Sequence, residues 1–143
     1  MINQNILIED IEIPRDIDFL IVEDEEDISE IIKEHLCEAG FKGSFIRLTS
    51  MEDAHSRLKE RKKPFDFIIS DWNLKNKSGL DLLKIIREIP RYKKTPFLMV
   101  TANDNVSGLL IASKKGATEY LVKPWEKKEL LAKVAYSWSE SPN

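Results

Sequence analysis

The chain has 143 residues, 42% of them hydrophobic and 33% charged, which is the length and composition of one globular domain. Twenty-two Lys+Arg against 25 Asp+Glu give a net charge of −3, which argues against a nucleic-acid partner held by phosphate contacts, and the single cysteine, Cys37, excludes an internal disulfide framework. No apolar run approaches membrane-spanning length and no basic-then-apolar leader opens the sequence, so the expectation is a cytoplasmic protein with no membrane partner.

Residues 1–17 read as an N-terminal extension. Ile6, Ile8, Ile11 and Ile13 alternate there in short pieces and Pro14 breaks the pattern. An extra strand, a packed arm and a disordered lead all fit it. The first strand is Asp18–Val22. A helix follows with Ile28, Ile31, Ile32, Leu36 and Ala39 on one stripe, stopped by Gly40 where a left-handed cap is wanted. Cys37 reads as a small core residue of this helix. The second strand is Ser44–Leu48. Its helix carries Met51, Ala54 and Leu58 behind Ser50 and Asp53, at N-cap and N3 spacing. The third strand, Phe65–Ser70, leads to a helix with Leu82, Leu83, Ile86 and Ile89 behind Ser78 and Asp81. The fourth strand, Pro96–Thr101, leads to Val106, Leu109, Leu110 and Ser113, then Gly116. The fifth, Thr118–Val122, leads to Leu130, Leu131, Val134, Ala135 and Trp138. The domain body is thus 18–139, and 140–143 are a tail.

Strand and helix alternate five times. Crossovers that each hold a helix make the strands parallel and the connections right-handed. The expectation is a doubly wound α/β sandwich, with its site at the carboxyl ends of the strands.

Those ends carry the chemistry. The first strand runs into Glu23, Asp24, Glu25, Glu26 and Asp27. Acids in a first helical turn are favoured by the helix dipole, which accounts for the last three. Glu23 and Asp24 stay in the turn and call for a cation, for which all-oxygen ligands suit Mg²⁺. Asp71 ends the third strand and is spare, because Ser78 already caps the next helix. Thr101 ends the fourth strand and Lys123 the fifth. The second strand contributes nothing obvious; in a sheet ordered 2-1-3-4-5 it is an edge, away from the cleft. Such a set fits phosphoryl transfer. A carboxylate can attack phosphorus, while a cation, a lysine and a hydroxyl neutralise the phosphoryl oxygens.

The segments FLIVEDEED, FDFIISDWNLKNKSGLDLLK, FLMVTAND and KKGATEYLVKP together resemble the receiver domain of bacterial two-component response regulators, over about residues 18–139. The resemblance implies a flavodoxin-like (βα)5 sheet of order 2-1-3-4-5 and a stand-alone, chemotaxis-type phosphorelay module. In it Asp71 is the phosphoacceptor, and Glu23, Asp24, Asp71 and the Asn73 backbone carbonyl hold Mg²⁺. Thr101 and Tyr120 form the switch, Lys123 pairs with the phosphoryl group, and Asn73 and Asn103 border the approach of water. The Lys123-Pro124 bond is expected to be cis. The implied partners are a sensor histidine kinase or phosphotransfer protein, an unidentified downstream protein, and a second copy through the fourth helix, fifth strand and fifth helix. Lys75 and Ser78 depart from the family's common residues without removing a reactive group.

Three other readings compete. An Mg²⁺-dependent phosphohydrolase also uses a nucleophilic Asp, but its first strand ends in Asp-x-Asp, where this chain has Glu23-Asp24-Glu25. A flavodoxin-like cofactor binder needs a Ser/Thr/Gly-rich loop after the first strand, which these acids would repel. A receiver fold acting as a phosphorylation-independent adaptor has no need of the intact set.

Overall fold

The computed structural model describes residues 5–74, 77–102, 111, 114 and 116–141. Five short parallel strands form the central sheet: β3 (Phe19–Val22), β4 (Phe45–Leu48), β5 (Phe67–Asp71), β8 (Phe97–Thr101) and β9 (Glu119–Val122). Their spatial order is β4-β3-β5-β8-β9, which is the expected 2-1-3-4-5. Residues of β3, β5 and β8 are buried throughout, as strands covered on both faces must be. The surrounding helices are α1 (Glu26–Ala39), α2 (Met51–Glu60), α3 (Gly79–Glu88) and α4 (Lys127–Glu140), the last being the fifth of the helices expected from the sequence. Of the expected fourth helix, Ile111 and Lys114 are described and helical; Val106, Leu109, Leu110 and Ser113 lie outside the described residues.

Local signals behave as the residue types dictate. Gly40 closes α1 at φ +111, a left-handed conformation that costs glycine little. The Ser50 hydroxyl accepts from the Asp53 amide, and Ser78 with Asp81 forms a complete capping box on α3. Cys37, expected in the core, is exposed instead: it stands one residue past fully buried Leu36 and so turns away from the stripe.

Two apolar layers sandwich the sheet. One joins Phe19, Ile21, Phe67, Ile69, Leu98 and Val100 to Ile32, Leu36, Leu130 and Val134. The other joins Leu20, Val22, Ile68 and Met99 to Ala54, Leu58, Leu82, Leu83 and Ile86. The N-terminal residues extend the first layer. β1 (Asn5–Ile8) and β2 (Ile11–Pro14) pair as an antiparallel hairpin whose turn residues, Glu9 and Asp10, both have positive φ. Ile6, Ile13 and Ile17 are buried in that layer, and Ile8, Ile11, Trp125, Leu131 and Trp138 pack against it.

The amino ends of the strands are tied together by Asp18. Its carboxylate accepts from the Ser44 amide at 2.8 Å, from Lys63 Nζ at 2.8 Å and from Arg61 Nη2 at 3.2 Å. Burial pushes this carboxyl up, but the Lys63 and Ser44 hydrogen bonds and the charges of Lys63 and Arg61 more than offset it and hold the group below 3.8. Arg91 caps the end of α2, donating to the carbonyls of Leu58, Arg61 and Lys62. Arg61, Lys63 and Arg91 therefore serve structure at this end of the sheet.

Candidate functional site

Three of the strand ends converge. Glu23 follows β3 and is 1% exposed, Asp71 ends β5 at 6%, and Thr101 ends β8 at 2%. The register Val22↔Ser70 and Asp71↔Val100 puts these ends side by side. Gly79 lets Asp71 sit where it does. A Cβ at Gly79 would stand 2.4 Å from the Asp71 carbonyl oxygen, so no larger residue fits without moving the strand end.

One carboxylate oxygen from each of Glu23, Asp24 and Asp71 lies within 4.8 Å of the other two. Lys123, just past β9, reaches into the cluster: its Nζ is 3.5 Å from Asp71 Oδ1, 3.4 Å from Glu23 Oε1 and 3.8 Å from Glu25 Oε2. The Lys123 amide donates to the Thr101 carbonyl at 2.7 Å, which ties the ends of β8 and β9 together. The Lys123-Pro124 peptide is cis, as expected. The other Glu23 oxygen accepts from the Glu25 amide at 3.2 Å, and Asp71 Oδ1 accepts from the Asn73 amide at 3.3 Å. One lysine does not balance the acids. Burial, and next the charge of Asp71, push the Glu23 carboxyl up from 4.5 to about 7. The donors are all hard oxygens with positive charge in deficit, a set that fits a small divalent cation such as Mg²⁺.

The remaining expected residues fall around this cleft. Asn73 opens a two-residue strand, β6 (Asn73–Leu74), which pairs with β7 (Lys77–Ser78). Tyr120 lies in β9 and is 37% exposed, with Lys133 Nζ 4.8 Å from its ring centre. Asn103 lies outside the described residues, as does Lys75. Arg47 joins them unexpectedly. The edge strand β4, expected to add nothing, places its guanidinium on the backbone of the acidic turn: Nε donates to the Glu23 carbonyl at 3.1 Å and Nη2 to the Asp24 carbonyl at 3.0 Å. No local pattern signals it, since the contact spans 24 residues and depends on strand pairing.

Fold and cleft together define a doubly wound α/β domain with an acidic, lysine-bearing pocket at its switch point. The sequence profile of the response regulator receiver domain matches residues 19–135, and the chain belongs to that family. It is thus a signalling domain of the two-component type. It is 34% identical over 116 residues to the chemotaxis protein CheY-3 of Vibrio cholerae, covering 80% of this chain and 86% of that protein. It is 35% identical over 114 residues to the phosphate regulon transcriptional regulatory protein PhoB of Rhizobium meliloti. That match covers 80% of this chain but 48% of PhoB, so the chain spans about half of that relative. The structure superposes on the chemotaxis response regulator CheY4 of Vibrio cholerae with a TM-score of 0.76 at 28% identity, covering 85% of this chain and 98% of that one. Among the described residues, no helix is long and apolar enough to cross a membrane.

Proposed function

We propose that this receiver takes a phosphoryl group onto Asp71 in a Mg²⁺-dependent reaction and thereby changes a protein-binding surface. The observation that carries the reading is the approach of the Glu23, Asp24 and Asp71 carboxylates to within 4.8 Å beside Lys123. In the reaction an Asp71 carboxylate oxygen forms a bond to phosphorus. The P–N bond of a donor phosphohistidine breaks, and its electron pair leaves with the imidazole. Glu23, Asp24, Asp71 and the Asn73 carbonyl would hold the cation, which supplies charge neutralisation for the phosphoryl oxygens. Lys123 stands 3.5 Å from the nucleophile and can shift its pairing to the new phosphoryl oxygens. The Thr101 hydroxyl is the group at the end of β8 for a further oxygen, and Asn73 and Asn103 border the path of hydrolytic water.

The donor is a sensor histidine kinase or a phosphotransfer protein, and the site of action is the cytoplasm. The output is a surface formed by the expected fourth helix, β9 and α4, offered to a downstream protein or to a second copy of the chain, with Tyr120 turning inward as Thr101 closes on the phosphoryl group. Beyond self-phosphorylation from a donor and self-dephosphorylation, no enzyme turnover is assigned.

Intact mass after incubation with Mg²⁺ and acetyl phosphate decides the chemistry. Wild type should gain one phosphoryl group, and Asp71→Asn or added EDTA should abolish the gain. A labelled Asp71→Asn protein refutes the assignment. Thr101→Ala should accept phosphate yet fail to change self-association or partner affinity; a full response in that variant refutes the coupling. A phosphoryl half-life unchanged by Asn103→Arg and Asn73→Lys removes those two residues from control of hydrolysis.

A further inference from the structure

The turn between β3 and α1 holds two of the three clustered carboxylates, yet little of its own holds it in place. Glu25, the N-cap residue of α1, makes no side-chain capping bond. Within the turn, Glu23 uses its own carboxylate to meet the Glu25 amide. From outside, the Glu23 amide donates to the Leu48 carbonyl at 3.0 Å, which extends the β3–β4 ladder by one rung. Arg47 adds the only charged clamp on the backbone of this turn among the described residues, bonding two consecutive carbonyls at 3.1 and 3.0 Å. A planar guanidinium with fixed donors constrains direction as well as distance. When the carbonyls of Glu23 and Asp24 are fixed, so are the directions in which their Cα–Cβ bonds leave the chain.

We propose that Arg47 is a positioning residue for the divalent cation: it acts through the backbone of Glu23 and Asp24 to aim their carboxylates at Asp71. The inference rests on reading the cluster as a cation site. Two effects of Arg47 oppose each other there. Its positive charge, 3.0 Å from the Asp24 carbonyl, works against a cation. Its two hydrogen bonds preorganise the ligands and work for one. Support of ligands by groups behind them commonly changes metal affinity by roughly tenfold or more, while the guanidinium's charge is already engaged by two carbonyl oxygens that lie between it and the carboxylates. Preorganisation therefore wins, and the sign of the mutant effect reports which of the two prevails.

The variants are Arg47→Met, Arg47→Lys and Arg47→Gln. Arg47 lines a cavity of about 70 Å³ with Ile21, Ser29, Glu30, Lys33 and Phe45, and methionine is shorter than the arginine it replaces there. Mg²⁺ is titrated on the full chain by Trp72 fluorescence and by the metal-induced rise in melting temperature. Arg47→Met should bind Mg²⁺ roughly tenfold more weakly than wild type. Arg47→Lys, which keeps the charge but not the two-pronged geometry, should fall between them. With acetyl phosphate as donor, the Mg²⁺ concentration for half-maximal phosphorylation should rise while the rate at saturating Mg²⁺ stays unchanged. A purely structural role would lower the metal-free melting temperature and leave that Mg²⁺ requirement alone. Equal or tighter Mg²⁺ binding in Arg47→Met overturns the proposal. If that variant does not fold, equal or tighter binding in both Arg47→Lys and Arg47→Gln overturns it. A wild-type chain that shows no Mg²⁺ response in either titration refutes the cation reading itself, which separates the two failures.

Discussion

Asp71→Asn should make the metal-free protein more stable, although it removes the proposed phosphoacceptor. The cause is the crowding of acids. Glu23 is 1% exposed, and burial followed by the charge of Asp71 raises its carboxyl from 4.5 to about 7. That rise corresponds to at most roughly 3 kcal/mol of unfavourable interaction of the ionised form. Burial is the larger cause and persists in the variant, so only part of that, on the order of 1 kcal/mol, is relieved by an uncharged Asn. Lys123 loses its contact at 3.5 Å but keeps Glu23 at 3.4 Å, which offsets a few tenths. A net gain of about 1 kcal/mol should appear as a rise of roughly 3 °C in melting temperature at pH 8 in EDTA. The gain should depend on pH with a definite sign. Because the folded Glu23 carboxyl titrates above its unfolded value, wild-type stability is fully present below about 4.5 and declines as pH rises through about 7. The two proteins should therefore converge near pH 5 and separate at pH 8. Saturating Mg²⁺ should reverse the order, since it stabilises the wild type through one more ligand. Thermal melts at the two pH values, with EDTA and with Mg²⁺, check all of this. A variant less stable than wild type at pH 8 in EDTA refutes this balance of charges.

Asp24→Lys replaces a ligand with a competing cation and should abolish the Mg²⁺-dependent change in Trp72 fluorescence; an unchanged titration removes Asp24 from the site. Asp18→Asn should cost about 1–2 kcal/mol at pH 7 by urea melts. The Asp18 carboxyl is held below 3.8, so its contribution is present above that value, disappears as pH falls below it, and leaves variant and wild type equal in strong acid. Ile13 is 0% exposed on the hairpin and Leu7 is 65% exposed on the same hairpin. Ile13→Ala should cost about 2–4 kcal/mol and Leu7→Ala under about 0.5, and equal effects would show that the hairpin does not pack on the domain in solution.

The sequence shows those parts of the fold whose physics is local. Short continuous apolar runs such as FLIV and FLMV, set between amphipathic helical patterns, read as strands buried on both faces, and the structure buries every residue of β3 and β8. The strand ends then follow from alternation with helices, which is why Glu23, Asp24, Asp71, Thr101 and Lys123 group together on sequence alone. What stays hidden depends on pairing between distant segments. The N-terminal hairpin turns on Glu9 and Asp10, at φ 51 and 63, where an Asn-Gly pair would have announced a tight turn. Arg47 reaches Glu23 and Asp24 because Ile21 pairs with Arg47 in the ladder, and a single-residue slip would point it to the opposite face. Cys37 shows the limit of a helical stripe at its edge. Leu36 is fully buried and its neighbour, one residue round the helix, is exposed.

The two ends of the sheet divide the labour. At the amino ends Asp18 has answering bases in Arg61 and Lys63, and Arg91 closes α2. At the carboxyl ends three acids face one lysine. The deficit is tolerable because the core and the satisfied end supply stability that the cleft withholds, and it is useful because relief of the deficit is what a cation and a phosphoryl group can offer. The proposed switch must then overcome whatever holds Tyr120 outward. Lys133 sits 4.8 Å from its ring centre and is itself fixed by Glu119 at 2.9 Å. A partly exposed contact of that kind contributes about 0.5–1 kcal/mol. New charge-assisted bonds from a phosphoryl group to Lys123 and Thr101 contribute about 1.5–3 kcal/mol each. The phosphoryl bonds are the stronger of the two and favour the inward state. On the proposed switch, phosphorylation would favour the inward state to the extent that the bonds to Thr101 and the re-paired Lys123 exceed the Lys133 contact, and that margin would fix how complete the change is.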